Sequence, residues 1–145
     1  MPSITLPISE LGPVIEVALQ LSKPHRSLLA KHGLPIPQPI LVKVLVDTGA
    51  SATCIDQAHL KLLGIKPTGV VLMYTPSTKG KPVHCNQYDI DLSVIMGGAI
   101  HHLQTLPLIE TVFTGQGIDG LLGRDALAHG LLIYNGSEKE FTLTF

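Results

Sequence analysis

Apolar residues along this chain fall into short runs broken by Gly and Pro, and within several runs they recur every second position, the period of a strand. Val17, Leu19 and Leu21 share one face of such a run, while Tyr88, Ile90 and Leu92 alternate with polar neighbours as in a half-exposed strand. The pattern predicts strands at Ser3 to Pro7, Val14 to Leu21, Ile40 to Val46, Val70 to Thr75, Val83 to Val94, Ala99 to Leu106, Leu131 to Tyr134 and Glu140 to Thr144. Two segments fit the helical period instead. "IDQAHLKLLG" offers Asp56 as N-cap, Leu60 and Leu63 on one face and Gly64 as terminator, and "GRDALAHG" offers a shorter turn ending at Gly130. Asn135-Gly136 signals a hairpin, because both residues tolerate positive φ. The proline-dense segment 22–39 reads as an irregular surface excursion with room for one helical turn at Ser27 to Lys31.

The 14 Gly and 11 Pro spread over 145 residues reinforce an all-β class over long helices. With 45% hydrophobic and 14% charged residues, residues 1–145 are expected to form one folded domain. A formal net charge of -1 and the lack of a basic run give no reason to expect nucleic acid or an anionic membrane as partner. The two cysteines, Cys54 and Cys85, stand neither in a CxxC pair nor in a disulfide framework. The opening residues lack a basic, then continuously apolar, leader, so a soluble cytoplasmic location is expected.

Chemistry concentrates at "ILVKVLVDTGAS", residues 40–51, where an apolar strand ends on an acid followed by small, turn-permitting residues. From the tripeptide alone, Asp47 reads equally well as a turn cap. A second segment, "IDGLLGRDAL" at 118–127, sets an apolar pair before Gly123 and Arg124. Together, "LVDTGAS" and the later "LLGRDAL" resemble the retropepsin family of aspartic proteases, closest to its cellular and bacterial members. "PSITL" and "FTLTF" at the two ends are similar to the terminal strands by which retroviral members interleave two subunits, and residues 72–83 occupy the position of their flap hairpin. Residues 22–39 and the strand pair around "YNGSEKE" depart from the viral pattern.

This resemblance implies a closed acid-protease barrel with one or two short helices, one lobe per chain. It implies an aspartic endopeptidase, acting on a peptide or protein substrate, with Asp47 as the catalytic carboxylate. Only one Asp-Thr-Gly is present, so a homodimer through the N- and C-terminal strands would supply the second acid. Thr48 and Gly49 would support the active-site loop, Thr48 by a bond across the dimer, and Arg124 would tie the following helix to that loop. Arg124's acceptor stays open among a backbone carbonyl, Asp125 and Glu10, because Ser51 and Ala52 stand where viral enzymes carry acids. Leu45, Gly49, Ala50, Ala52, Met73, Tyr74 and Leu121 would contact substrate, and Gly80 would free the flap turn. Ala50 stands where a hydroxyl residue is common in pepsin-like enzymes, so activity is expected at mildly rather than strongly acidic pH.

No cofactor is expected. His101-His102 and His84-Cys85 alternate across strands and cannot readily chelate together, and Cys54 and His59 lack zinc spacing, so no metal site is expected either. A non-catalytic dimeric peptide-binding module of the same fold is the alternative from another class.

Overall fold

Alternation places Val42, Val44 and Val46 inside and Leu41 and Lys43 outside along one strand, and the same rule repeated around the chain rolls the sheet into a barrel. The computed structural model describes residues 1–103 and 105–145. Its first half contains strands β1 (Ser3–Pro7), β2 (Val14–Leu21), β3 (Ile40–Val46), β4 (Cys54–Asp56) and β5 (Gly69–Met73), with helices α1 (Lys23–Lys31) and α2 (Gln57–Leu62). The second half adds β6 (Val83–Met96), β7 (Ala99–His102), β8 (Leu106–Thr111), β9 (Gly120–Leu122), β10 (Leu131–Asn135) and β11 (Glu140–Thr144), with helix α3 (Arg124–Leu127).

Strands pair in the order β2-β3-β9-β4-β8-β6, and β6 returns to pair with β2, closing the barrel. β5 extends beyond it on β6, in the register Met73 to Val83. A separate three-stranded sheet, β1-β11-β10, packs against the barrel through Phe141 and Leu143, which join the same buried cluster as Val44, Leu92 and Leu122. Burying such side chains, each worth about 1.5–3 kcal/mol, is what holds sheet and barrel together.

Several expected strands recur with the same bounds: β1, β2, β3 and β11. The strand expected over Ala99 to Leu106 divides instead. β7 pairs Ser93–Met96 of the long β6, after a turn at Gly97 (φ 62), and β8 then pairs Gln87–Ile90 further along the same strand; Gln104 lies outside the described residues. The excursion at 22–39 holds a full helix rather than a single turn. Ser22 Oγ accepts from His25 N at 3.4 Å, Pro24 sits in the first turn where its missing N–H costs nothing, and Arg26 Nη1 donates to Leu21 O and Asp91 Oδ2. The β10–β11 connection also differs from the sequence expectation. Its positive φ falls at Lys139 (φ 55), while Asn135 Oδ1 accepts from Ser137 Oγ and Glu138 N, so the loop is built on an Asn turn rather than on Asn-Gly.

α2 forms as its sequence predicts. Asp56 Oδ1 accepts from Ala58 N at 2.9 Å, Leu60 and Leu63 are buried, and Gly64 (φ 65) ends it. Asp56 Oδ2 also accepts from Phe113 N at 2.6 Å, and these two backbone donors hold its carboxyl below the usual carboxylate range. Among the described residues, no helix is long and apolar enough to cross a membrane.

Candidate active site

β3 delivers Asp47 to one end of the barrel and the chain turns there at once. Ala50 N donates to Asp47 O at 3.2 Å, and Gly49 N donates to the carboxylate oxygen Oδ1 at 2.8 Å. Asp47 N in turn donates to Leu122 O at 3.0 Å, so β9, lying parallel to β3, fixes the level at which the acid leaves the sheet. β9 and its sequel lie so close to β4 that two glycines are obligatory. A Cβ on Gly120 would fall 2.2 Å from Cys54 O, and one on Gly123 2.5 Å from the Ala52 carbonyl carbon. "DTGAS" and "LLGRDAL", 70 residues apart in the chain, are thus one packed unit.

Arg124 clamps this unit from outside. Its backbone N donates to Ala50 O at 2.9 Å and its Nη1 to Thr48 O at 2.8 Å, so of the acceptors left open by the sequence the carbonyl is the one used. Asp125 is engaged elsewhere: it accepts from Thr53 N at 3.0 Å and Thr53 Oγ1 at 2.7 Å. Thr53 Oγ1 accepts from Gly123 N at 3.1 Å, so a fully buried hydroxyl links the two loops as donor and acceptor at once. The sequence reading passed over Thr53; its signal is a hydroxyl inside an otherwise apolar segment, which must find partners when buried. Thr48 is exposed and, among the described residues, its hydroxyl has no bond within the chain.

A cleft of about 600 Å³ opens over the acid. Of the expected contact residues, Gly49, Ala50, Ala52, Met73, Tyr74 and Leu121 line it with Asp47. Leu45 does not: it turns toward Gly12, whose added Cβ would meet Leu45 Cδ1 at 2.9 Å. Cys54 and Ile109 also line the cleft, and nothing in the sequence pattern marked them. Burial, reinforced by Asp125, Cys85 and Asp47, pushes the Cys54 thiol up to about 11, so it stays neutral and acts as apolar wall.

The cover of the cleft is the β5–β6 hairpin. Its loop is a 3-10 turn at Pro76–Thr78, where Thr78 N donates to Thr75 O at 2.9 Å, followed by two positive-φ residues, Lys79 (φ 49) and Gly80 (φ 78). Asp119, which precedes Gly120 in the second segment, is committed to structure. It accepts from Lys43 N at 2.9 Å and contacts His59 Nε2 at 3.0 Å, pinning α2 to β3.

Residues 38–126, from before β3 to the middle of α3, match the aspartyl protease family. The chain belongs to this family. No curated protein matches it in sequence. Among solved structures, this aspartyl protease is similar over 99% of its length to a retropepsin-like aspartic protease from Rickettsia conorii, at 16% identity and a TM-score of 0.58, covering 90% of that chain. It is also similar over 99% of its length to an aspartic proteinase from Irpex lacteus, at 16% identity and a TM-score of 0.57. There it covers 47% of the other chain, so the aspartyl protease spans about half the length of that relative. At such identities the likeness is one of fold, and the fold is the retropepsin-like barrel.

Proposed function

We propose that this aspartyl protease is an endopeptidase whose water is activated by two carboxylates, Asp47 of one copy and Asp47 of a second. The observation that carries the reading is the setting of Asp47: one oxygen is held by Gly49 N–H and the carboxylate stands at a flap-covered, largely apolar cleft. The half-length match to the Irpex lacteus proteinase supports a working unit made of two such chains.

Between them the two acids share one proton. The charged carboxylate takes a proton from water as its oxygen attacks the scissile carbonyl carbon, and the protonated one donates to the carbonyl oxygen. The resulting tetrahedral diol collapses as the carboxyl that took the water proton passes it to the leaving nitrogen, the other carboxylate takes a proton from a diol hydroxyl, and the C–N bond breaks. Gly49, without a side chain, lets the substrate backbone approach, and Arg124 holds the loop through Thr48 O. Ala50, Ala52, Met73 and Leu121 favour apolar side chains beside the scissile bond, with Tyr74 on the flap side.

The terminal sheet is the proposed contact with the second copy. β11 already has β1 on one edge and β10 on the other, so interleaving of the viral type would require β1 to change partners. Leu131 (56% exposed) and Ile133 (51%) on β10 offer an apolar face beside Thr142 and Thr144, and the free Thr48 hydroxyl is available to reach across. Both cysteines are unpaired, which supports a reducing, cytoplasmic setting.

Incubation with a mixed peptide library at several pH values, beside Asp47→Asn, tests the reading. Cleavage between apolar residues that disappears in the variant is expected. Cleavage that survives Asp47→Asn sinks the aspartic mechanism, and a folded dimer that binds peptides without cutting them favours the non-catalytic module.

A further inference from the structure

A second cavity, of about 330 Å³, adjoins the catalytic cleft and shares Met73 and Thr75 with it. Its other walls include Val83, Glu110, Thr111 and Val112, so a mostly apolar hollow contains one carboxylate. That carboxylate is pre-organised. Glu110 Oε2 accepts from Tyr88 Oη at 2.7 Å and from Asn86 Nδ2 at 3.3 Å, which fixes the side chain and leaves its second oxygen uncommitted among the described residues. Tyr88 stays protonated to donate, because burial and the neighbouring Glu110 push its hydroxyl up to about 12.

We propose that this cavity is a specificity pocket for an arginine side chain of the substrate, flanking the scissile bond, with Glu110 as its acceptor. The inference rests on the peptidase reading for its substrate but not for its physics. A carboxylate held through one oxygen is an acceptor with room for a donor, and a guanidinium presents several N–H groups in a fixed fork. The methylene stem of an arginine packs against Met73, Val83 and Val112. An extended peptide crossing under the flap sends alternate side chains to opposite sides, so continuity of the two cavities through Met73 and Thr75 puts one flanking side chain within reach. Citrulline, which keeps the shape and loses the charge, is the discriminating probe.

The experiment walks arginine or citrulline through the positions flanking an apolar pair in a set of labelled peptides. Binding is measured by anisotropy to the full-length Asp47→Asn protein, and kcat/KM to the wild type. At one position the arginine peptide is expected to bind about tenfold tighter and to be cut with a similar advantage, as a charge-assisted contact predicts. In Glu110→Gln, where the bond from Tyr88 survives, that ratio is expected to fall toward one. Because the ratio compares two ligands on the same protein, a general loss of stability leaves it unchanged. Equal binding of both peptides at every position, no peptide binding at all, or a preference that persists in Glu110→Gln overturns the pocket. A tenfold binding ratio without any cleavage by the wild type keeps the pocket and removes the peptidase reading; cleavage with a ratio of one does the reverse.

Discussion

The two sides of the cleft are built on opposite principles. Beneath it, the loop carrying Asp47 is fixed by Arg124, by the Asp125–Thr53–Gly123 bonds and by two glycines whose neighbours leave no room for a methyl group. Above it, the flap loop rests on a 3-10 turn and two left-handed residues, with Tyr74 67% exposed and open space where a Cβ on Gly80 would lie. In the proposed peptidase the floor must hold a charge in place to within a fraction of an ångström, whereas the cover must open for a peptide and close again. The contrast therefore separates where substitutions should change stability from where they should change binding.

Gly123→Ala attacks the floor hardest. The new methyl would lie 2.5 Å from the Ala52 carbonyl, so the loops must part, and urea unfolding should show a loss of about 3 kcal/mol or more together with loss of activity. Thr53→Val keeps the shape and removes the hydroxyl. It strands Gly123 N and leaves Asp125 Oδ1 with only its bond from Ala126 N, and should lower stability by about 1–3 kcal/mol, with a drop in kcat larger than any change in KM. Thr78→Ala in the flap supplies the counterpart: it removes two bonds to Thr75 in a partly exposed loop, so unfolding should move by about 0.5–1 kcal/mol, and KM should change more than kcat. Equal stability losses for Thr53→Val and Thr78→Ala would break the contrast.

Two pH experiments sharpen it. The backbone donors of Ala58 and Phe113 hold the Asp56 carboxyl below its ordinary value of 3.8, so its contribution is complete above that value and is lost as pH falls through the lower folded value. Asp56→Asn should therefore flatten the decline of Tm below about pH 4, at a cost near neutrality of about 1 kcal/mol for the weakened cap. Ala50→Ser acts on the floor more gently. A hydroxyl donor there would favour the charged form of the pair, and activity should extend to lower pH; an unmoved acid limb means the hydroxyl does not reach the carboxylates.

Much of this floor could be read in the sequence, because "DTGA" and "LLGR" are dictated by contact: a strand end, a turn and a glycine against a carbonyl leave few choices of residue. Asp47, Gly49, Ala50, Ala52 and Leu121 do line one cleft. Leu45 was misplaced by its proximity in sequence, since strand alternation turns it away from its neighbours toward Gly12. β4 and β9 were invisible, as three residues show no period and owe their strand conformation to the strands beside them. Cys54 enters the cleft with β4, and Ile109 with β8, which pairs it in parallel. α1 was obscured by its proline, although Pro24 in a first turn suits a helix.

Whether one chain holds half a site or a whole one is decided by mixing wild type with an inactive variant. A fixed amount of wild type is refolded together with an equal amount of Asp47→Asn, and peptide cleavage is compared with wild type refolded alone. If each site needs Asp47 from two chains, half of the wild-type chains pair with an inactive partner and the rate falls to about half. A rate unchanged by the added variant would show that a single chain carries the whole site.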